Sequence, residues 1–402
     1  MWLTILFILT NWAKAELLDS CQPVDPSEPL EVYLLTSGPG NGVYTKVGHS
    51  ALWVSGGGKR ETVFNWGAYD SSQDNFLLRF FMGDAVYKLA MMSRQYNLKR
   101  VGDNDQLLIA QHLDLSPNMK MTMAAELARL ARPENHVYTY HWEQQNCSTL
   151  IRDLIDESTN GALRSLPEIS NAPSRRFEVL RHLGNLGWAW FGWHYMASNY
   201  GDRTYDRWSW MHIPQSLYKG VDDATIQWTG EESTRPLVDR VCVLNKGEWA
   251  PSEPPDRRWL LWSIGGLMGV WIWMTRMRSR FWQLPTILWF TSSGLLSTFF
   301  ITCWLVSTLD GYGFNENWFV TNPLHLIVLY YLMRKRRMGV IRHCLWVLPL
   351  LGILWKLGVS SPQSNIDLIG LFGIPSVILA LAQRSVDRDH PQAKFDPRGN
   401  RA

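Results

Sequence analysis

The chain has 402 residues, enough for two domains, and a formal net charge of only +3, which excludes a polyanion such as nucleic acid as the evident partner. Its mean hydropathy of −0.15 averages a mixed first part with an apolar last third, so neither part is described by the whole. Residues 1–15 carry an apolar run from Trp2 to Trp12 followed by Ala13-Lys14-Ala15, the pattern of a secretory signal cleaved after Ala15. No Lys or Arg precedes the run, so an uncleaved anchor is the other reading; either way the residues that follow leave the cytoplasm. Five cysteines are present, of which Cys303 and Cys344 lie in apolar stretches that suit packed thiols. In an oxidising compartment Cys21 and Cys242 could pair and leave Cys147 free, a pairing the sequence leaves open.

Residues 31–37 and 48–54 have strand composition, and the Ser-Gly-Gly-Gly-Lys stretch at 55–59 reverses the chain into a third strand at 61–66. A five-residue loop sets Arg60 against Val54 and Asn65 against His49, close enough, at roughly 5 Å between Cβ atoms, for Asn65 to orient the imidazole. A four-residue loop slips the pairing by one and separates them. Residues 75–92 are aromatic and apolar with a break at Gly83, residues 106–115 form another strand, and residues 116–130 a helix whose Met and Leu stripe is core.

Residues 137–142 alternate as a strand with Tyr138, Tyr140 and Trp142 on one face. A helix then starts at Asn146, a good N-cap residue, with Leu150, Ile151, Leu154 and Ile155 at helical spacing. That places Cys147 in the first turn, where the helix dipole and free amides lower a thiol pKa. Cys147 is therefore the nucleophile candidate and His49 its base. His141 is a rival base on the opposite strand face. No His-x-x-x-His or Cys-x-x-Cys pair occurs near this site, so no metal or other cofactor is expected.

Residues 183–200, rich in Trp and Gly, suit either a lip dipping toward lipid or a buried aromatic helix. After the Pro-rich linker at 251–255, five apolar segments at 259–275, 285–306, 318–333, 344–357 and 368–382 form an all-α bundle of transmembrane helices. Arg276, Arg278 and Arg280, then Arg334 to Arg337 with Arg342, then Arg384 follow the first, third and fifth segments, whereas the connections at 309–317 and 360–365 hold no Lys or Arg. Positive-inside bias sets the basic loops and C-terminus in the cytoplasm and the first domain outside. Asn322 and His325, near the start of the third segment, read either as functional polar groups within the membrane or, the favoured reading, as side chains that meet interfacial water. The division expected is a signal at 1–15, an extracytoplasmic domain at 16–256, a five-helix domain at 257–385 and a cytoplasmic tail at 386–402.

A His on a strand preceding a Cys at a helix start resembles the circularly permuted branch of the papain-like NlpC/P60 superfamily, which includes lecithin:retinol acyltransferase-like enzymes. More closely, Gly48-His49-Ser50-Ala51-Leu52, Phe64-Asn65-Trp66-Gly67, residues 80–87 with Gly83, and Tyr138-x-Tyr140 leading to Asn146-Cys147-Ser148-Thr149 and Arg152-Asp153 resemble the Lnb family. The resemblance runs from about residue 32 to 156, more weakly to 214. It implies an α+β papain-like outer domain on a bacterial inner membrane and a lipoprotein N-acyltransferase. Its partners would be diacylated lipoproteins and membrane phospholipid. It implies Cys147 as acyl-accepting nucleophile, His49 as base and Asn65 as third member, with Trp66, Tyr87, Tyr138 and Tyr140 against the substrate; Arg152 and Asp153 receive no catalytic role. Trp66, Trp188, Trp190 and Trp193 would ring the mouth of the site and keep water from a thioester. The rival readings are a membrane-tethered cysteine hydrolase, either a lipase or a cell-wall peptide amidase with a polar groove, and a non-catalytic scaffold in which His49 and Cys147 lie far apart.

Overall fold

A computed structural model describes residues 21, 25–69, 74–334, 338–360 and 362–389; the expected signal at 1–15 and the tail beyond residue 389 lie outside them. The chain divides into two units, one of residues up to Trp190 together with Arg203–Pro254, the other of Phe191–Asp202 and the chain from Pro255 onward.

The first unit is built on a sheet. Its elements are β1 (Glu31–Ser37), β2 (His49–Gly56), β3 (Lys59–Ala68), α1 (Phe76–Met82), β4 (Val86–Met92), α2 (Arg94–Gly102), β5 (Leu108–Leu113), α3 (Pro117–Leu130), β6 (Val137–Thr139) and α4 (Cys147–Ser158). Then come α5 (Arg175–Leu183), α6 (Gly187–Met196), α7 (Arg207–Trp210), α8 (Pro214–Asp223), a small ribbon of β7 (Thr225–Ile226) with β8 (Arg235–Pro236), and β9 (Val238–Asn245). The division between the units falls inside α6. Seven strands pair antiparallel in the order β6-β4-β3-β2-β1-β5-β9.

Every residue of β1 after Glu31 is buried, because the sheet is covered on both faces. On one face Val32, Leu34, Leu52 and Trp66 pack with Met119 and Met123 of α3 and Ile151, Leu154 and Ile155 of α4. On the other, Tyr33, Leu35, Ala51, Trp53 and Val63 pack with Val101 of α2 and with Cys21 and Cys242. Those cysteines form a disulfide across a separation of 221 residues, Cα atoms 6.0 Å apart, which suits an oxidising compartment.

The β2–β3 hairpin corrects the expected register. Gly57 and Gly58 both have positive φ, 67° and 76°, the backbone of a tight two-residue turn whose twist matches the strands. Val54 consequently faces Thr62, and a bulge lies between Val54 and Gly56. The expected pairing of Val54 with Arg60 is two residues away.

The second unit contains α9 (Arg258–Thr275), α10 (Arg280–Val306), α11 (Leu324–Arg334), α12 (Ile341–Gly358), and α13 (Ile366–Leu368) running through a π-helical stretch at Ile369–Gly373 into α14 (Ile374–Asp389). Among the described residues three helices are long and apolar enough to cross a membrane: Phe281–Val306, Ile341–Gly358 and Ile366–Arg384. The segment expected at 318–333 is not one span. A 3-10 turn at Glu316–Phe319 precedes Pro323, Asn322 caps the next helix by accepting from the Leu324 amide at 3.1 Å, and α11 has only 11 residues. At 1.5 Å per residue that is about 16 Å, half a hydrocarbon core. His325, rather than meeting water, is buried against Ser293 Oγ at 2.7 Å. Gly265 lets two helices touch: a Cβ there would sit 2.4 Å from the Gly370 carbonyl oxygen.

Phe191–Asp202, expected in the outer domain, belongs to this second unit. Asn315 Nδ2 donates to the carbonyls of Tyr195 and Met196 at 2.8 and 3.0 Å, Gln363 Nε2 donates to that of Ala197 at 3.1 Å, and His194 Nε2 meets Asp367 at 2.9 Å.

Candidate active site

The geometry begins with the cap of α4. Asn146 has an extended backbone, its Oδ1 accepts from the Ser148 and Thr149 amides at 2.8 and 3.0 Å, and its own amide donates to Thr149 Oγ1 at 2.8 Å. Its Nδ2 donates to the carbonyls of Trp142 and His212 at 2.6 and 3.1 Å. One side chain thus ends the preceding turn, starts the helix and ties both to a distant segment. Cys147 follows as the first helical residue, half-buried.

His49 opens β2. Gly48 before it has φ 84°, and a Cβ there would lie 2.4 Å from the Ser37 carbonyl oxygen, so only glycine permits this entry to the strand. The His49 Nε2 donates to Asn65 Oδ1 at 2.6 Å, which leaves Nδ1 for the sulfur. The β2–β3 ladder stops at Leu52 and Phe64, short of His49. The Cys147 sulfur lies 4.0 Å from the Ser148 hydroxyl, with the His49 ring and the Ser50 amide near enough to act on its charge. Ser50 Oγ and Ser148 Oγ lie 3.0 Å apart, stapling β2 to α4.

Burial pushes the Cys147 thiol up, but the neighbouring His49 imidazolium first, then the polar hydrogens of Ser50 and Ser148, outweigh it and bring the thiol down to about 7. Burial likewise opposes the His49 charge, and the adjacent Cys147 thiolate, with help from Asn65, outweighs it and raises the imidazole. The two groups therefore favour the ion-pair form. Arg100, half-buried on α2, adds a positive field that opposes the His49 charge and is itself favoured by the thiolate.

Of the remaining expected residues, Tyr87, Tyr138 and Tyr140 come together. Tyr87 faces Tyr138 across the β4–β6 pairing, and the Tyr87 and Tyr140 rings stack at 4.5 Å. Burial raises the pKa of both Tyr138 and Tyr140, and the nearby Cys147 charge adds to the shift, so the phenols stay neutral. Trp66 is not exposed to a substrate: it is 3% accessible, packed in the core against which Cys147 rests, because it alternates to the strand face opposite Asn65. Trp190 is also 3% accessible, Trp188 is 71% accessible, and Trp193 lies in the second unit. The rival base His141 is occupied locally, its Nδ1 accepting from the amides of Glu143 and Gln144 at 3.2 and 3.1 Å. Arg152 stacks on Trp208 at 3.8 Å and donates to its carbonyl at 3.0 Å, bracing the helix.

Sequence reasoning missed Ser50, Ser148 and Arg100 as neighbours of the sulfur. Ser50 and Ser148 stood in the quoted motifs, yet nothing local marks a strand hydroxyl as a partner of a helix 98 residues later. Arg100 had no signal, being one cation on a basic helix.

Residues 23–183 match the Lnb N-terminal periplasmic domain, and residues 251–382 match the Lnb transmembrane domain. Comparison with curated proteins and with solved structures finds no match. With both domains matched in order, the chain belongs to the Lnb family, as a lipoprotein-modifying membrane protein with a periplasmic domain and a transmembrane domain.

Proposed function

We propose that this protein is a lipoprotein N-acyltransferase that carries its acyl group as a thioester on Cys147. The Cys147 thiolate attacks the carbonyl of a lipid ester, the ester C–O bond breaks, and the departing alkoxide takes the proton from the His49 imidazolium. The α-amine of a lipoprotein's N-terminal cysteine then attacks the thioester and gives its proton to His49, the C–S bond breaks, and the thiolate returns. Asn65, accepting from His49 Nε2, keeps the ring's other nitrogen toward the sulfur through both steps.

The observation that carries this reading is the Cys147–His49–Asn65 arrangement beside a tyrosine cluster. A thiol lowered to about 7 supplies the nucleophile. Ring faces suit hydrocarbon better than the charged groove a cell-wall peptide amidase needs, and water kept away from the thioester favours transfer over hydrolysis. The order of His49 before Cys147 supports a permuted papain-like domain. The wider layout follows the same reading: an outer domain on the periplasmic face, a membrane domain within 257–385, a cytoplasmic C-terminus, and diacylated lipoproteins and phospholipid as partners.

The test is the mass of a lipoprotein's N-terminal lipopeptide in cells that depend on this chain. Wild type adds one acyl chain to the α-amine and Cys147→Ser does not. Unchanged acylation by Cys147→Ser would remove the thiol from the reaction.

A further inference from the structure

Away from Cys147 the first unit exposes an apolar feature that the site does not use. Leu77 and Leu78, consecutive on α1, are 61% and 54% accessible, and Tyr44 is 60% accessible. The helix is bounded by left-handed residues, Asn75 with φ 57° and Gly83 with φ 82°, and lies in the chain between β3 and β4.

Phe76 and Phe80 of this helix belong to a cluster of rings that includes Tyr87, Tyr138 and Tyr140. Tyr44 meets Tyr69 at 5.6 Å between ring centroids, Tyr69 stacks on Phe76 at 5.0 Å and meets Tyr87 at 5.3 Å, and Tyr87 and Phe80 reach Tyr140 at 4.5 and 5.8 Å. Tyr138 packs against the same core cluster as Cys147, and the Cys147 charge acts on both Tyr138 and Tyr140. A chain of ring contacts thus links the helix that carries the two exposed leucines to Tyr138, beside the core cluster on which Cys147 rests.

We infer that this α1 face is where the acyl chain of the lipid substrate leaves the bilayer and enters the site, lying along the tyrosine row with its ester at Cys147. The inference rests on the acyl-thioester reading and adds the route. Three side chains on a seven-residue helix are far smaller than the roughly 800 Å² per partner of a stable protein interface. A single hydrocarbon chain needs no more than a narrow apolar track, and a unit joined to a transmembrane domain meets lipid as its nearest hydrocarbon.

The experiment uses full-length protein in vesicles of phosphatidylethanolamine and phosphatidylglycerol that carry a synthetic dipalmitoylglyceryl-cysteine peptide. Acylation of Cys147 is followed by intact mass, beside the p-nitrophenol burst from soluble p-nitrophenyl butyrate. The variants are Leu77→Asp/Leu78→Asp and, without added charge, Leu77→Gln/Leu78→Gln; both sites are exposed, so the core is untouched. The expected result is a loss of about tenfold or more in acylation from vesicles, with the butyrate burst within about twofold of wild type. Unchanged vesicle acylation, or an equal loss on both substrates in both variants, overturns the route while leaving the thioester reading standing. A wild-type protein acylated by neither substrate overturns both.

Discussion

His49 Nε2 lies 2.6 Å from Asn65 Oδ1, although the two residues are not directly opposed on their strands. The ladder sets Leu52 against Phe64, and carried onward it would place Asn65 opposite Ala51 and Gly67 opposite His49. A Cβ on Gly67 would indeed come 3.4 Å from His49 Cε1. The bond is a diagonal one, spanning the roughly 7–8 Å between same-face neighbours two positions apart. It works because the imidazole is long and the strands have parted there.

Asn65 acts through His49, so replacing it should separate orientation from charge. Asn65→Ala is expected to lower the acylation rate by about 10². Asn65→Asp keeps an accepting oxygen and adds a negative charge, which favours the imidazolium and moves the alkaline limb of the pH–rate profile upward. Single-turnover acylation across pH 5 to 10 checks both; a flat response to Asn65→Asp would make the residue structural.

With its thiol at about 7, Cys147 is roughly half thiolate at neutral pH, against about one part in a hundred for the ordinary value of 9.0. Alkylation by iodoacetamide should therefore rise through about pH 7. In His49→Ala burial remains while the compensating charge is gone, so the inflection moves up and the rate at pH 7 falls at least about tenfold. Peptide mass mapping separates Cys147 from Cys303 and Cys344, the other free thiols.

Asn146→Ala removes the acceptor for two amides and the donor to two carbonyls, and should cost about 1–2 kcal/mol locally. Hydrogen exchange of the Ser148 and Thr149 amides should speed up, with acylation slowed because the sulfur is no longer held. Asn146→Asp retains the amide contacts and is expected to protect those amides while losing the ties to Trp142 and His212.

His112 offers a pH test remote from the site. Burial opposes its charge, but Glu31 Oε2 at 2.6 Å and Asp239 Oδ1 at 2.5 Å outweigh it and raise its pKa. A raised pKa means the stabilisation is complete below the unfolded imidazole value near 6.5 and is lost as pH climbs through the folded value. Melting of the full chain should thus fall from pH 6 toward pH 9, by an amount reflecting about 2 kcal/mol of charged hydrogen bonding. His112→Phe should flatten that dependence.

The sequence by itself determined what depends on neighbours in the chain. The Asn146 cap and the Cys147 helix follow from one cap residue and a 3.6-residue apolar period, and β1, β2, β3 and β5, though not β4, follow from composition and alternation. It also placed His49 and Asn65 on a common face despite the wrong loop length, because a slip of two residues preserves strand parity where a slip of one would not. Only the tertiary structure decided the two-residue turn, the Ser50 hydroxyl set against Ser148, the burial of Trp66, the break before α11 and the transfer of Phe191–Asp202 to the second unit. Each of these is settled by which distant segment satisfies a backbone group or covers a ring, and a linear pattern holds no record of that choice.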